Sequence, residues 1–260
     1  MKRIHASAIV DPGAELGEGV EIGPFCTVGA NVRLGEGVVL RSHAVVSGHT
    51  TIGAESQIFP FAAVGEPPQD VKHKGELTRL EIGARNVIRE HCTLHPGTAF
   101  GGGTTLVGDD NLFLVNTHIG HDCRVGNHVI MSNNCMLGGH VTVEDYAYLA
   151  GGVAVSQRIR IGESVMVGGM SGVILDAAPF TMVMGYPARL VRMNRINLER
   201  RGIAPERIEM VEKAFRIIFQ GGLKAHDAFA RVRAELPASP EAERMVAFLE
   251  KSENGFIRRR

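Results

Sequence analysis

Stepping by six residues from Ile4 gives Val10, Leu16, Ile22, Val28, Leu34, Leu40, Val46, Ile52, Ile58 and Val64, eleven aliphatic residues in succession. The phase breaks at Asp70 and Glu76 and returns at Ile82, Ile88 and Leu94. After Phe100 one residue is inserted. The count then runs through Val107, Phe113, Ile119, Val125, Met131, Leu137, Val143, Leu149, Val155, Ile161, Val167 and Val173. About half of the residues of an ordinary protein are apolar, so chance does not produce such a run. A short fixed period is the signature of a solenoid.

The other places of the hexad are constrained too. The residue after the aliphatic one is often glycine, as at Gly17, Gly23, Gly29, Gly35, Gly53, Gly83, Gly108, Gly120, Gly126 and Gly162. Glycine there is expected to supply backbone angles that a Cβ forbids. Two residues before the aliphatic position stand small or β-branched residues such as Ala14, Val20, Val32, Val38, Ala44, Val129, Val141 and Val153. Cys26, Cys92, Cys123 and Cys135 all fall on this place, which makes them small buried apolar residues rather than ligands or nucleophiles. Their wide spacing, with no Cys-x-x-Cys pair, argues against a zinc knuckle and a disulfide framework.

One large and one small inward residue in every six describe a short strand followed by a turn. Three such units close a triangular coil of about eighteen residues, each coil stacking on the next at about 4.8 Å. The repeats span about residues 4–178, an all-β parallel β-helix. Stretches at about 66–80 and 99–106 interrupt the pattern and should project as loops, and loops on a rigid scaffold often carry function.

The C-terminal part differs. Pro179 and Pro187 punctuate a linker, and Ala204-Pro205-Glu206 opens a helix with a first-turn proline. Ile208, Val211, Phe215 and Ile218 recur at helical spacing until Gly221-Gly222. Phe229, Val232 and Leu236 mark a second helix, and Met245, Phe248 and Leu249 a third. The expected division is a β-helix over 1–185 and a small helical domain over 186–260. Lys and Arg together equal Asp and Glu at 28 each, but residues 1–185 hold 12 basic and 18 acidic side chains while 186–260 hold 16 and 10. A basic end can attract phosphates or an acidic protein, or be an ordinary solvated surface. No apolar run approaches the roughly 20 residues that span a bilayer, and Met1-Lys2-Arg3-Ile4-His5 has no apolar core of a signal peptide. The expected location is therefore the cytoplasm, without stable membrane insertion and without a nucleic-acid partner.

Stacking arithmetic points to a site. In coils of about eighteen residues, His121 lies under Gly139 and Gly139 under Gln157, while Asp122 lies under His140; His118 closes the preceding strand. Such a corner has the parts of an acyl-transfer site. An imidazole can take the proton of an attacking hydroxyl, a carboxylate can hold its tautomer, and the Gly139 N–H can bind a developing oxyanion. No nucleophilic Ser or Cys sits in the column, since Cys123 points inward, so direct attack without an acyl-enzyme is expected. By spacing alone, metal chemistry through two histidines and a carboxylate stays open, as does a turn without catalysis.

The stretch Asn116 to Gly126, NTHIGHDCRVG, resembles the active-site segment of the UDP-N-acetylglucosamine O-acyltransferase family. The resemblance covers nearly the whole chain. It includes Ile22-Gly23-Pro24-Phe25-Cys26, Gly65-Glu66 with Gln69-Asp70, Gly101-Gly102-Gly103, Met166-Val167-Gly168-Gly169 and Arg200-Arg201-Gly202. It implies a left-handed parallel β-helix, although the general rule for parallel crossovers gives the right hand. It further implies a homotrimer with sites between subunits, a lipid A pathway role, an (R)-3-hydroxyacyl donor on acyl carrier protein, and UDP-N-acetylglucosamine as acceptor. No metal or cofactor is implied, the acyl group being carried on phosphopantetheine of the carrier. By matching positions, His121 is the base, Asp122 its partner and Gly139 the oxyanion donor. Gln69, Asp70, Lys72, His118, His140 and Gln157 line the acceptor and acyl pocket. Gly169 measures the acyl chain, and Asn194, Arg200 and Arg201 reach the nucleotide and the phosphopantetheine. Two departures stand out: Ser156-Gln157 replaces the family's usual His-Gln, and Ile196-Asn197 stands where an acidic residue and Gly are usual. They leave open a 3-amino analogue of the sugar as acceptor. A non-catalytic relative that only binds nucleotide sugar or carrier is a separate alternative, against which the intact His121–Asp122 pair argues. The N-acyltransferase of a later lipid A step shares the repeat but usually carries an extra N-terminal domain.

Overall fold

The computed structural model describes residues 1–258. Among them, three sheets of eleven, nine and eight strands, parallel except for one antiparallel end strand, wind around one apolar core. Sheet A contains Arg3–Ile4, Glu21–Ile22 and their successors, sheet B Ile9–Val10 and Thr27–Val28, and sheet C Glu15–Leu16 and Arg33–Leu34. The chain visits A, B and C in turn, so each aliphatic hexad residue meets its equivalent one coil on, as Ile22 meets Leu40 and Ile119 meets Leu137. Val20, Ile22, Cys26 and Val28 are all at most 2% exposed, which confirms both inward places of the hexad. All four cysteines are buried, and burial pushes the Cys92 thiol up to about 11 and the Cys123 thiol to about 12. Neither is a thiolate near neutrality.

The glycines after the aliphatic residue are explained differently from the expectation. None of the ten adopts a positive φ. Instead, most sit where the next coil passes too close for a side chain: a Cβ on Gly17 would lie 2.7 Å from the Glu36 nitrogen, and one on Gly53 would lie 2.4 Å from the Gly83 carbonyl carbon. The left-handed conformation falls two residues later in the hexad. Phe25, His43, Glu55, Asp122 and His140 have φ between 59° and 63°, and Gly19 and Gly37 occupy equivalent turns. Backbone hydrogen bonds between coils hold these residues there, such as His43 N–H to the Pro24 carbonyl at 3.0 Å.

Both interruptions project from the same edge, between sheets B and C. The first leaves Ala63–Val64 and re-enters at Arg79–Ile82. The second occupies residues 95–103 rather than 99–106, because Thr104–Val107 pairs as a strand with Arg79–Ile82. The expected linker is a strand pair: Thr181–Met184 continues sheet A beside Met166–Val167, and Arg189–Met193 returns antiparallel to it. Sheet A thus runs past residue 185. Helix α1 (Arg195–Arg200), which the periodicity did not reveal, precedes α2 (Pro205–Gln220), α3 (Ala225–Glu235) and α4 (Pro240–Glu250). The helices are tied to the last coils by Arg160, which donates to the Phe248 carbonyl at 3.0 Å, and by the Arg244–Glu163 ion pair.

The outer faces differ. Sheet C turns Glu15, Arg33, Glu81, Arg124 and Arg160 outward, whereas sheet A, beside Arg3, Glu21 and Gln57, presents Val39, Val87, Leu112, Ile130, Tyr148 and Met166. Along the edge between A and B, Phe25, His43, Phe61 and His91 form a ladder of rings with successive centroids 5.0, 4.9 and 5.2 Å apart, and all four residues are exposed.

Close approach of coils predicts an asymmetry between glycines. Gly53→Ala must displace backbone, which costs about 1–3 kcal/mol and should lower the melting temperature by several degrees. Gly37→Asn keeps a residue that tolerates the left-handed region, with its nearest neighbour 3.7 Å from the new Cβ, and should melt close to wild type. Thermal unfolding of the two variants side by side measures this; equal melting temperatures would refute it.

Candidate active site

His121 and Asp122 form the turn between strands His118–Ile119 and Arg124–Val125, on the edge from which both loops project. Their neighbours one coil on, Gly139 and His140, occupy the same turn, and His140 N–H donates to the His121 carbonyl at 2.9 Å. The stacking expected from spacing is therefore present. Asp122 has φ of 60°, and its N–H donates to the Thr105 hydroxyl at 2.8 Å, which fixes the turn from inside the coil.

The His121 side chain is oriented through Nδ1, which lies 2.8 Å from Asp122 Oδ2. Burial opposes the charge of Asp122. The Thr98 hydroxyl, His121 and the Thr98 N–H outweigh it and hold the carboxyl below its ordinary range. A carboxylate can only accept, so the proton of the neutral imidazole sits on Nδ1 and the Nε2 lone pair is left for a substrate. Nε2 faces Asp70 Oδ2 at 3.6 Å, so the first loop delivers its carboxylate to the side of the ring away from Asp122. Lys72 N–H donates to Asp70 Oδ1 at 2.7 Å, and the Lys72 ammonium lies 5.5 Å from the Phe100 ring centroid, bringing the two loops together.

His140 packs edge-on against His121, with centroids 5.1 Å apart. Burial, partly offset by Asp122, lowers its pKa. His118 donates to or accepts from Thr93 Oγ1 through Nδ1 at 2.8 Å; burial, then His95 and His121, hold its pKa down at about 4. It is neutral in neutral solution. Gly139 packs against the His121 ring: a Cβ there would lie 2.4 Å from His121 Cε1 and 2.5 Å from Nε2. Its N–H meets no backbone carbonyl among the described residues. Gln157 is exposed at the next turn of the same edge, beside Ser156, and Gln69 is exposed on the first loop. His121, Asp122 and His140 also bring ligand atoms within 4.8 Å of one another, a spacing a metal could bridge. Against this, Asp122 Oδ2 already accepts from both Thr98 and His121.

The remaining expected residues lie elsewhere on the chain. Asn194 is buried and donates to the Ser164 carbonyl at 2.8 Å. Arg201 pairs with Glu163 at 2.7 Å, donates to Ser164 Oγ at 2.6 Å and stacks over Tyr146 at 3.8 Å. Tyr146 and Ser164 belong to the edge between sheets C and A, across sheet C from His121. Arg200 is exposed on α1, and Gly169 is exposed on the edge between A and B. Thr98, Gly97 and Gly101 were missed by stacking arithmetic, because the second loop departs from the coil length. A Cβ on Gly101 would lie 2.1 Å from Asp122 Oδ2, so this glycine is required by the carboxylate.

Known proteins match this chain along its length. Residues 13–48 match the bacterial transferase hexapeptide family, and residues 176–257 match the family described as UDP N-acetylglucosamine O-acyltransferase, domain 2. A curated relative from Anaeromyxobacter sp. (strain Fw109-5), named acyl-[acyl-carrier-protein]–UDP-N-acetylglucosamine O-acyltransferase, is 46% identical over 98% of this chain and 99% of its own. One of the same name from Rhizobium johnstonii is 48% identical over 95% of this chain and 91% of its own. The solved structure of LpxA from Acinetobacter baumannii is 42% identical, covers 98% of this chain and 99% of its own, and superposes with a TM-score of 0.95. That of LpxA from Bacteroides fragilis 9343, a UDP-N-acetylglucosamine acyltransferase, is 39% identical, covers 98% and 100%, and has the same TM-score. The solenoid is the left-handed parallel β-helix.

The contact between Gly139 and the imidazole makes a sharp prediction. In Gly139→Ala the new methyl must push the His121 ring off Asp122 or distort the turn. A displacement of about 1 Å can cost 10²-fold in rate, so kcat should fall about that far while the melting temperature stays within a few degrees. Activity near wild type would show that the ring has room to move.

Proposed function

Since the chain belongs to the UDP-N-acetylglucosamine O-acyltransferase family, we propose that this acyltransferase moves an (R)-3-hydroxyacyl chain from acyl carrier protein to the 3-hydroxyl of UDP-N-acetylglucosamine, opening lipid A synthesis. The observation that carries the mechanism is the pairing of His121 Nδ1 with Asp122, which leaves Nε2 as a base beside the Gly139 N–H, itself without a hydrogen-bond partner among the described residues. In the proposed step Nε2 takes the proton of the sugar hydroxyl as the oxygen attacks the thioester carbonyl. The Gly139 N–H stabilises the oxyanion, and the thiol of the phosphopantetheine leaves with the proton returned from the imidazolium. Neutral His118, through the ring nitrogen not held by Thr93, and His140 can hydrogen-bond the acceptor. The hydroxyl is favoured over an amine as acceptor because relatives similar over their whole length are named O-acyltransferases.

A homotrimer is part of the proposal. The apolar outer face of sheet A and the exposed ring ladder beside it are surfaces that a second and third copy would cover. With sites between subunits, as the family resemblance implies, Asn194, Arg200 and Arg201 of one chain would serve the nucleotide and phosphopantetheine at the His121 edge of another. The basic helices, with Arg200, Arg201, Arg216 and Lys224, suit an acidic carrier protein. Among the described residues no helix is long and apolar enough to cross a membrane, and the reaction is assigned to the cytoplasm.

His121→Ala should lower kcat by about 10²–10⁴, the usual contribution of a positioned base, with the assembly intact; the wild type should keep its activity in EDTA. Turnover above a third of wild type in the variant would overturn the base, and loss on chelation restored by zinc would move the site to metal chemistry.

Gly169 is proposed as the floor of the acyl groove. It lies outside the left-handed region and the nearest atom to an added Cβ, the Gly151 carbonyl oxygen, is 3.4 Å away, so a side chain can be accommodated there. Gly169→Met should shift the preferred donor to a shorter 3-hydroxyacyl chain, since each methylene denied burial costs about 0.8 kcal/mol. The measurement is kcat/KM over a series of acyl carrier proteins, and an unchanged length profile would remove Gly169 from the groove.

A further inference from the structure

The residues of the second loop converge on Asp122. The Thr98 hydroxyl donates to Asp122 Oδ2 at 2.6 Å, and the Thr98 N–H donates to Oδ1 and Oδ2 at 3.0 and 3.2 Å. Thr98 is 0% exposed. Gly97 and Gly101 clear the space: a Cβ on Gly97 would sit 2.8 Å from Oδ1 and one on Gly101 2.1 Å from Oδ2. The loop is itself braced by Gly101 and Gly103 N–H donating to the Thr98 carbonyl at 3.0 and 2.9 Å.

We propose that Thr98 is a positioning residue of the reaction: it fixes the Asp122 carboxylate in place and in charge, and through it the tautomer and orientation of His121. This rests on the reading of His121 as base. Two donors from one residue leave Asp122 Oδ2 a single direction in which to meet His121 Nδ1, and hydrogen bonds to the charged form favour that form. The groups facing the carboxylate from every packed element are His121 at 2.8 Å, His140 Nε2 at 3.8 Å, the Thr98 donors and the buried Cys123 thiol, with Asp70 on the far side of the His121 ring. Burial works against the charge, and Thr98 is the largest of the influences that lower the Asp122 pKa. Without its hydroxyl the carboxylate becomes more basic. It then holds the imidazolium proton more tightly, so the acidic limb of kcat/KM moves to higher pH.

The test uses the full-length protein labelled with ¹³C at aspartate carboxyls, the Asp122 signal being assigned through Asp122→Asn. A hydrogen bond to a charged group contributes about 1.5–3 kcal/mol, so Thr98→Val should raise the Asp122 titration by about one to two pH units. It should lower kcat by about ten- to a hundred-fold with little change in KM, and shift the acidic limb upward. Thr98→Ser, which keeps the hydroxyl, should restore all three. In the Asp122→Asn background Thr98→Val should add no further loss. If Thr98→Val melts far below wild type, Thr98→Ala supplies the same readings with only atoms removed. An unchanged Asp122 titration, failure of Ser to restore it, or full additivity with Asp122→Asn overturns the proposal. A raised titration with unaltered kcat also overturns it, and places the failure in the assignment of His121 as base rather than in the hydrogen bond.

Discussion

Each coil rests on its neighbour through parallel backbone hydrogen bonds at strand spacing, and that distance governs the rest of the molecule. It brings equivalent hexad positions into contact, so large and small inward residues fill the core in columns with almost no exposure. It excludes a Cβ wherever a turn passes directly over the next, which is why glycine recurs after the aliphatic residue. It also stacks the left-handed turn residues along each edge, so that whatever side chain stands there is repeated at short intervals up the prism.

The proposed catalytic arrangement uses the same constraint. His121 and Gly139 are one coil apart, close enough that the glycine is required by the imidazole, and His140 is carried to the ring edge of His121 by the same step. A regular solenoid alone would leave this edge open to water on its outer side. The two loops change that. The first sets Asp70 at Nε2, and the second closes on Asp122, whose side chain is only 1% exposed. His121 thereby stands between two carboxylates, Asp122 at Nδ1 and Asp70 at Nε2.

The three edges carry different chemistry. The edge between B and C bears the site, the edge between A and B bears the exposed ring ladder, and the edge between C and A is occupied by the junction with the helices. At that junction Glu163 accepts from Arg201 and from Arg244, so the basic helices are bound to the solenoid by charges that the acidic repeat domain supplies. Asn194 and Arg201 make these contacts within the chain, while Arg200 alone of the three stays exposed.

The sequence by itself determined the coil, its two inward columns, the buried state of the cysteines, three of the four helices, and the meeting of His121, Asp122, Gly139, His140 and Gln157 on one edge. All of these follow from a fixed period, which converts separation along the chain into position in space. Tertiary structure alone decided what the period does not reach. Thr98, Gly97 and Gly101 come onto Asp122 because an insertion of irregular length folds back across the edge, and no spacing rule gives its path. Asp70 reaches Nε2 for the same reason. The role of the repeat glycines was also settled only in three dimensions: the need for glycine came from a neighbouring coil's backbone, not from the residue's own angles, and a neighbour's distance is not written in local sequence. The strand pair at Thr181–Met193 escaped because two prolines and a change of direction hid its pairing with sheet A.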